Sequence, residues 1–489
     1  MRQDKDKDNS SSPLHQDIGV NAAKPAFTPK CCGVTAKRIF IRTFGCQMNV
    51  RDSEAIIGLF LDKGYELTED AREADVILVN TCSVREHAEH RAISFLGSLK
   101  KTCQSTVKDQ QSADKNRKII DHGLSAIDDP QRHKPIVGFI GCAARNRGAE
   151  VFSKMPHVNL ILGPGWFDKI FDFVERIKDK GERIKELGDK ERNELLYSGT
   201  YRCEPDSAQV VISTGCNNWC TYCIVPYVRG ALRFRKPEDI LDEVKCNIDR
   251  GFRKITLLGQ NVNDYEYRLQ VTCHKSSRGN TRDRQEKEYR SHVTGHKSQE
   301  NEYMSTDHGP QTIVDRPQSA DHSRQTTVGF LDILRKVEKI KGLEELYFLS
   351  ANPKNTSKEL LDFMAESDKI KKQLHLPFQS GSNQILKKMG RGYTREWYLE
   401  LIEYYKQKVG GKLGTDVIVG FPGETDQDFQ ETKDLMEKIR FDYAYIFKYS
   451  PRPHSKAFKL KDDVPLKVKE ERHAVLLEMQ KRASRARKK

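Results

Sequence analysis

Cys216, Cys220 and Cys223 stand in ISTGCNNWCTYCIVPYVRG, a C-x-x-x-C-x-x-C run. Three thiolates at this spacing can take three irons of a 4Fe–4S cubane and leave the fourth open. An iron without a protein ligand can chelate the amino and carboxylate groups of S-adenosylmethionine (SAM) and pass it an electron. A structural zinc knuckle is the competing reading, but zinc sites usually close with four ligands in paired spacings, and no fourth Cys or His lies at such a spacing. Cys46, Cys82 and Cys142, in TFGCQMN, NTCSVRE and GFIGCAAR, make a second set. Each ends an apolar, β-branched run: RIFIRTF (38–44), ADVILVN (74–80) and PIVGFIG (135–141). Ligands of an open α/β sheet sit beyond the carboxyl ends of its strands, so three cysteines far apart in sequence can converge there. Gly45 and Gly141, directly before their cysteines, permit the tight turn and close approach a cluster needs. Three buried structural cysteines are the alternative.

Runs followed by helix-forming stretches predict a parallel α/β sheet for an N-terminal domain over 37–160. The charged, helical sequence after it predicts a connector over 161–200. From 201 to 461, QVVISTG, KITLLGQ, EELYFLS, QLHLPFQ, LGTDVIVG and YAYIFKYS alternate with helical segments, the pattern of a partial (β/α) barrel. Polar residues recur where those strands end: Gln260, Asn261 and Asn263, Ser350, His375, Gln379 and Ser380, then Asp416 and Glu424. Singly each reads as a cap or turn residue; recurrence on successive strands makes them candidates for holding SAM or a substrate. Residues 1–36 read as a disordered leader, and 101–134 and 266–328, rich in Ser, Gln, Asp, Lys and His, as insertions too polar to offset their chain entropy. The insertions share QSAD and DHG; Cys273 and the histidines there carry no ligand spacing. Residues 462–489 read as a helix with a basic tail.

The chain has 489 residues, 12 cysteines and a formal net charge of +14, with a pI near 9.1 and a mean hydropathy of -0.71. No apolar run is long enough for a membrane span. The cysteines are too few for a disulfide scaffold, and half fall in the two motif sets, which favours metal ligation in a reducing compartment. The start, MRQDKDKDNSSS, has no apolar stretch of a signal peptide, so a cytoplasmic location is the expectation. The positive balance suits a polyanionic partner.

TFGCQMNVRDSE, NTCSVRE, CNNWCTYCIVPYVRG, LLGQNVNDY, HLPFQSGS and TDVIVGFPGET resemble the methylthiotransferases of the radical-SAM superfamily. LLGQNVN with HLPFQSGS is most similar to the branch that modifies N6-dimethylallyladenosine beside the tRNA anticodon. The resemblance implies an enzyme that adds a methylthio group to C2 of that adenine, using two 4Fe–4S clusters and two SAM. It implies that Cys46, Cys82 and Cys142 hold an auxiliary cluster and Cys216, Cys220 and Cys223 the SAM-cleaving one. The implied partners are tRNA bearing N6-dimethylallyladenosine and an electron donor such as flavodoxin or ferredoxin. Related branches act on a ribosomal-protein aspartate or on threonylcarbamoyladenosine, and a decayed Fe–S or RNA-binding homologue is a further alternative. Three departures stand out. Leu232 and Phe234 replace a polar Glu and Ser. SPRPHSK carries His454 where S-x-R-P-G-T has glycine. The chain also stops where an RNA-holding TRAM β-domain is expected, so that domain reads as missing or truncated.

Overall fold

The structure, a computed structural model, describes residues 36–108, 134–188, 197, 199, 201–271 and 324–486. The leader 1–35, most of both polar insertions and the last three residues lie outside the described residues.

Six strands build the first sheet: β1 (Arg38–Phe44), β2 (Glu66–Leu67), β3 (Val76–Thr81), β4 (Ile136–Gly141), β5 (Leu160–Leu162) and β6 (Ile184–Glu186). Their order is β2-β1-β3-β4-β5-β6, and every pairing is parallel. Both faces are covered, which is why β3 and β4 are apolar without alternation and buried throughout. Helices α1 (Gln47–Leu61) and α4 (Ile170–Lys180) cover one face, against Ile39, Ile41, Leu78 and Ile140. Helices α2 (Glu86–Lys108) and α3 (Cys142–Lys154) cover the other, against Ile77, Val79, Val137 and Phe139. The chain leaves β1 toward β2 and then crosses back to β3, so the switch point of the sheet falls between β1 and β3.

The second domain holds β7 (Ser207–Val211), β8 (Ser213–Thr214), β9 (Arg233–Phe234), β10 (Lys254–Leu258), β11 (Glu266–Val271), β12 (Arg324–Gly329), β13 (Glu345–Phe348), β14 (Gln373–His375), β15 (Lys412–Val419) and β16 (Tyr443–Lys448). Its helices are α5 (Val225–Arg229), α6 (Pro237–Asp249), α7 (Phe330–Glu338), α8 (Lys358–Glu366), α9 (Asn383–Met389), α10 (Arg395–Lys408), α11 (Asp426–Ile439) and α12 (Leu466–Ala486). Parallel ladders β7-β10-β13 and β14-β15-β16 are joined by a single bridge from Leu346 to Ile370. Among the described residues no ladder joins β7 to β16, so the barrel is an open one, as the six apolar runs predict.

The structure departs from the expected segmentation in three places. The connector expected over 161–200 contains β6 and α4, both integral to the first sheet. The three-residue strands are too short for a periodicity, and the charged face of α4 hides a buried stripe of Ile170, Phe173, Val174 and Ile177. The insertion expected from 101 is helical as far as Lys108, and the one expected over 266–328 is bracketed by the antiparallel pair β11 and β12. Helix α12 falls where a helix is expected, and it packs on the barrel: Leu476 is fully buried in the core and Arg472 binds Glu424.

Gly141 has φ +96, and a Cβ there would meet Asn80 Oδ1 at 2.3 Å and the Thr81 carbonyl oxygen at 2.8 Å. Gly141→Ala is therefore expected to lower unfolding free energy by about 2–4 kcal/mol in chemical denaturation, from positive-φ strain plus overpacking. Gly97→Ala in α2, where a Cβ meets nothing within 4 Å, is the matched control and is expected to be neutral or to stabilise by up to about 1 kcal/mol.

Candidate functional site

Cys46, Cys82 and Cys142 lie at the carboxyl ends of β1, β3 and β4, the first two flanking the switch point. The Cys82 N–H donates to the Phe44 carbonyl at 2.8 Å, drawing the first two strand ends together. At Gly45, with φ +148, a Cβ would stand 2.4 Å from that of Cys82. Beneath the cysteines is a buried amide network. Asn49 Nδ2 donates to Asn80 Oδ1 at 3.1 Å, and Asn80 Nδ2 donates to the Asn49 carbonyl and Ser53 Oγ, each at 2.9 Å. The Val84 N–H donates to Cys82 Sγ at 3.3 Å. A hydrogen bond from the Cys82 thiol draws Cys46 down to about 5; Arg229 and Arg85 add to that pull against burial. The same bond, and then burial, pushes Cys82 up.

Arg229 reaches this triad from the other domain. Its Nε donates to Cys142 Sγ at 3.1 Å and its Nη2 to Asp52 Oδ2 at 2.7 Å, with both side chains of the ion pair buried. Asp52 also accepts from the Tyr197 hydroxyl at 2.8 Å. Beside it, Glu243 of α6 pairs with Arg51 of α1, Arg202 and Arg235. Gln209 of β7 donates to Gln47, next to Cys46, at 2.9 Å, and Arg452 binds Glu89 of α2 at 3.0 Å. The two domains thus meet across a desolvated ionic layer. Sequence reasoning missed it, because Arg51, Asp52 and Glu54 in NVRDSE look like a solvated helix face; Arg229, six residues after the last cysteine of the other triad, was a weak cue.

Cys216, Cys220 and Cys223 occupy the loop from β8 to α5. Thr221 clamps that loop: its N–H donates to the Met389 carbonyl and its Oγ1 to the Lys388 carbonyl, each at 2.9 Å. Each sulfur has a nitrogen donor aimed at it: Asn218 Nδ2 at 3.6 Å from Cys216, Arg391 Nη1 at 3.4 Å from Cys220, and the Val225 N–H at 3.5 Å from Cys223. Burial pushes the Cys216 thiol up and the Cys223 thiol to about 12. Donors converging on soft sulfurs suit thiolates bound to iron, which takes the place of the proton. Among the described residues no three His, Cys, Asp or Glu side chains gather as ligands of a single ion; a cubane, whose irons each take one thiolate, asks for a wider set. Phe234 packs edge-on to Tyr265, which accounts for an apolar residue there; the Leu232 N–H donates to Asn217 Oδ1 at 3.0 Å in the cysteine loop, and nothing in the structure explains its apolar side chain.

The polar candidates divide into three groups. Gln260, Asn261, Ser350, Gln379 and Ser380 follow strand ends at the barrel rim; Ser350 and Gln379 are non-glycine residues at φ +67 and +68. The Asn261 Oδ1 is buried without a hydrogen-bond partner among the described residues. His375 and Asp416 lie within the strands, 3.3 Å apart, with the His375 ring stacked on Tyr443. Asn263 is a brace: it donates to the Asn352 carbonyl and Thr356 Oγ1 and accepts from the Asn352 N–H. Glu424 likewise accepts from the Gly420 N–H and Arg472.

Arg229→Gln is expected to cost about 3–5 kcal/mol in unfolding free energy by stripping a buried carboxylate of its cation. Adding Asp52→Asn is expected to recover most of that loss, a coupling that a double-mutant cycle measures.

Residues 38–163 match Uncharacterized protein family UPF0004, and residues 210–436 match the Radical SAM superfamily. The chain is 36% identical over 446 residues to a tRNA-2-methylthio-N(6)-dimethylallyladenosine synthase of Clostridium beijerinckii, covering 91% of this chain and 80% of that protein. It is 35% identical over 450 residues to the protein of the same name from Carboxydothermus hydrogenoformans, covering 91% and 83%. Among solved structures, the radical S-adenosylmethionine methyltransferase TsrM of Kitasatospora setae, with a tryptophan substrate and a SAM analogue bound, aligns over 86% of this chain and 75% of its own at a TM-score of 0.50 and 10% identity, a likeness of fold. Each matched region contains one cysteine triad, and the relatives align across both: the chain belongs to the radical-SAM methylthiotransferase family, among the tRNA-2-methylthio-N(6)-dimethylallyladenosine synthases.

Proposed function

We propose that the chain adds a methylthio group to C2 of N6-dimethylallyladenosine in tRNA. The observation that carries this reading is the 36% identity over 91% of the chain to a relative of that name. Two cysteine triads, with Arg229 from the domain of the second buried against Cys142 of the first, support it. C2 of adenine offers neither an acidic proton nor a leaving group, so acid–base catalysis has little to act on and a radical step is required. Cys216, Cys220 and Cys223 would hold a 4Fe–4S cluster able to supply the electron for SAM cleavage, and Cys46, Cys82 and Cys142 a second able to supply sulfur for the methylthio group.

The protein's own groups set the stage for that chemistry. Arg391 and Arg229, each buried with a nitrogen on a ligand sulfur, stabilise thiolate charge and exclude water from it. Asn261, with its unsatisfied oxygen, and Gln260, Ser350, Gln379 and Ser380 would hold SAM, with Asn263 as a brace among them. His375, Asp416 and the rings of Tyr443 and Tyr445, which pack against one another, would receive the base. A one-electron donor of the flavodoxin or ferredoxin type and a cytoplasmic location complete the reading; among the described residues no helix is long and apolar enough to cross a membrane.

In tRNA nucleosides from cells lacking this chain, 2-methylthio-N6-dimethylallyladenosine is expected to be absent and to return on re-expression; its failure to return would defeat the reading. After anaerobic reconstitution, a triple alanine change at either triad is expected to leave about half the iron. The change at 216, 220 and 223 should abolish SAM cleavage, and the change at 46, 82 and 142 should keep cleavage and lose sulfur transfer.

A further inference from the structure

Trp219 lies between two cysteines of the second triad, yet 45% of its surface is open to solvent and its backbone sits at φ +49. Its ring stands edge-on to Tyr227 at 5.7 Å, Tyr227 leans against His454 at 6.2 Å, and Lys456 Nζ is 5.8 Å from the centre of the Trp219 ring. His454 is strained as well. The Ser455 N–H donates to the Arg452 carbonyl at 3.1 Å, closing a turn with Pro453 in its first central position and His454, at φ +72, in its second. That is the pattern of a type II turn, whose second central residue is ordinarily glycine, as in the resembling motif S-x-R-P-G-T. Two exposed rings are therefore held in backbone conformations that bulky residues avoid, and strain of this kind persists where the surroundings impose it and function uses it.

The surroundings do impose it. The Ala457 N–H donates to the Thr221 carbonyl at 2.7 Å, locking Lys456 beside the cysteine loop. Arg452 donates to Glu89 at 3.0 Å and to the Val84 carbonyl at 3.2 Å, locking the same turn to the segment that follows Cys82. The rings thus form a ledge beside the loop of the second triad, on a turn that Arg452 ties to the segment after Cys82. It offers exposed aromatic surface with the Lys456 ammonium over the Trp219 ring, and the combination of rings and a cation can stack an unpaired base and meet its phosphate. The net charge of +14 favours the same polyanion.

We propose that Trp219, Tyr227, His454 and Lys456 form a stacking ledge for the unpaired nucleotide flanking the target adenosine in the RNA loop. The proposal rests on the tRNA reading above. The test uses the reconstituted full chain and a hairpin RNA carrying N6-dimethylallyladenosine in its loop, with a second hairpin abasic at the flanking position. Trp219→Ala is expected to weaken binding of the intact hairpin by about tenfold or more, and Trp219→Phe to keep most of it. His454→Gly, which relaxes the turn, is expected to weaken binding several-fold while leaving the thermal midpoint no lower. On the abasic hairpin, wild type and variants should converge. Iron content is measured on each sample, because Trp219 lies in a cysteine loop. Unchanged affinity for the intact hairpin in both His454→Gly and Trp219→Ala, with wild-type turnover intact, would overturn the ledge alone. A wild-type protein that neither binds nor methylthiolates the intact hairpin would overturn the tRNA reading and the ledge with it.

Discussion

One guanidinium, that of Arg229, stands between the two domains and holds an end of each. It leaves the radical-SAM domain at the end of α5, a helix of five residues that begins two positions after Cys223. It ends on Cys142 of the other triad and on Asp52. A buried arginine has no stable alternative to these partners: away from water, an unpaired charge costs several kcal/mol. The domains can therefore dock only where Arg229 finds both the carboxylate and the sulfur. Arg229 follows Cys223 by six residues, at the far end of this five-residue helix, so its contact with Cys142 holds the loop of the second triad close to the first.

The ionic layer beside Arg229 extends the same constraint. Glu243 gathers three arginines from both domains, and Glu54 accepts from the Cys203 N–H. Such pairs are weak contributors to stability compared with apolar packing, yet a mismatch between them is expensive, which makes them selective for one docked arrangement. The amide network of Asn49 and Asn80 does for the strand ends what the arginines do for the domains. It supplies hydrogen bonds to polar groups that a cluster site must bury.

Much of this was legible in the chain. The long apolar runs ending at Cys46, Cys82 and Cys142 are strands, since burial on both faces leaves an unbroken β-branched sequence. The six runs of the second domain are all barrel strands in the expected order. The structure brings the first three cysteines to neighbouring strand ends as a parallel sheet requires. What escaped notice was short or cooperative. β2, β5 and β6 have two or three residues, too few for a period, and are strands because a neighbouring strand offers each an edge. The side of α1 that meets the second domain carries Arg51, Asp52 and Glu54, so no hydrophobic pattern marks its burial. Asn263 looked like a ligand-holding residue in the same way as Asn261; only the bonds around it assign its amide to Asn352 and Thr356. The exposure of Trp219 and the strained turn at His454 are properties of the folded backbone, invisible in residue types apart from an unexpected histidine after proline.

The closeness of the two triads is most directly tested by electron paramagnetic resonance of the anaerobically reconstituted, fully reduced protein. Two clusters held around the Arg229 contact should broaden or split each other's signals through spin–spin interaction, giving a spectrum seen in neither single-cluster cysteine variant. A spectrum equal to the sum of those two variants would contradict the docking of the triads and the account built on it.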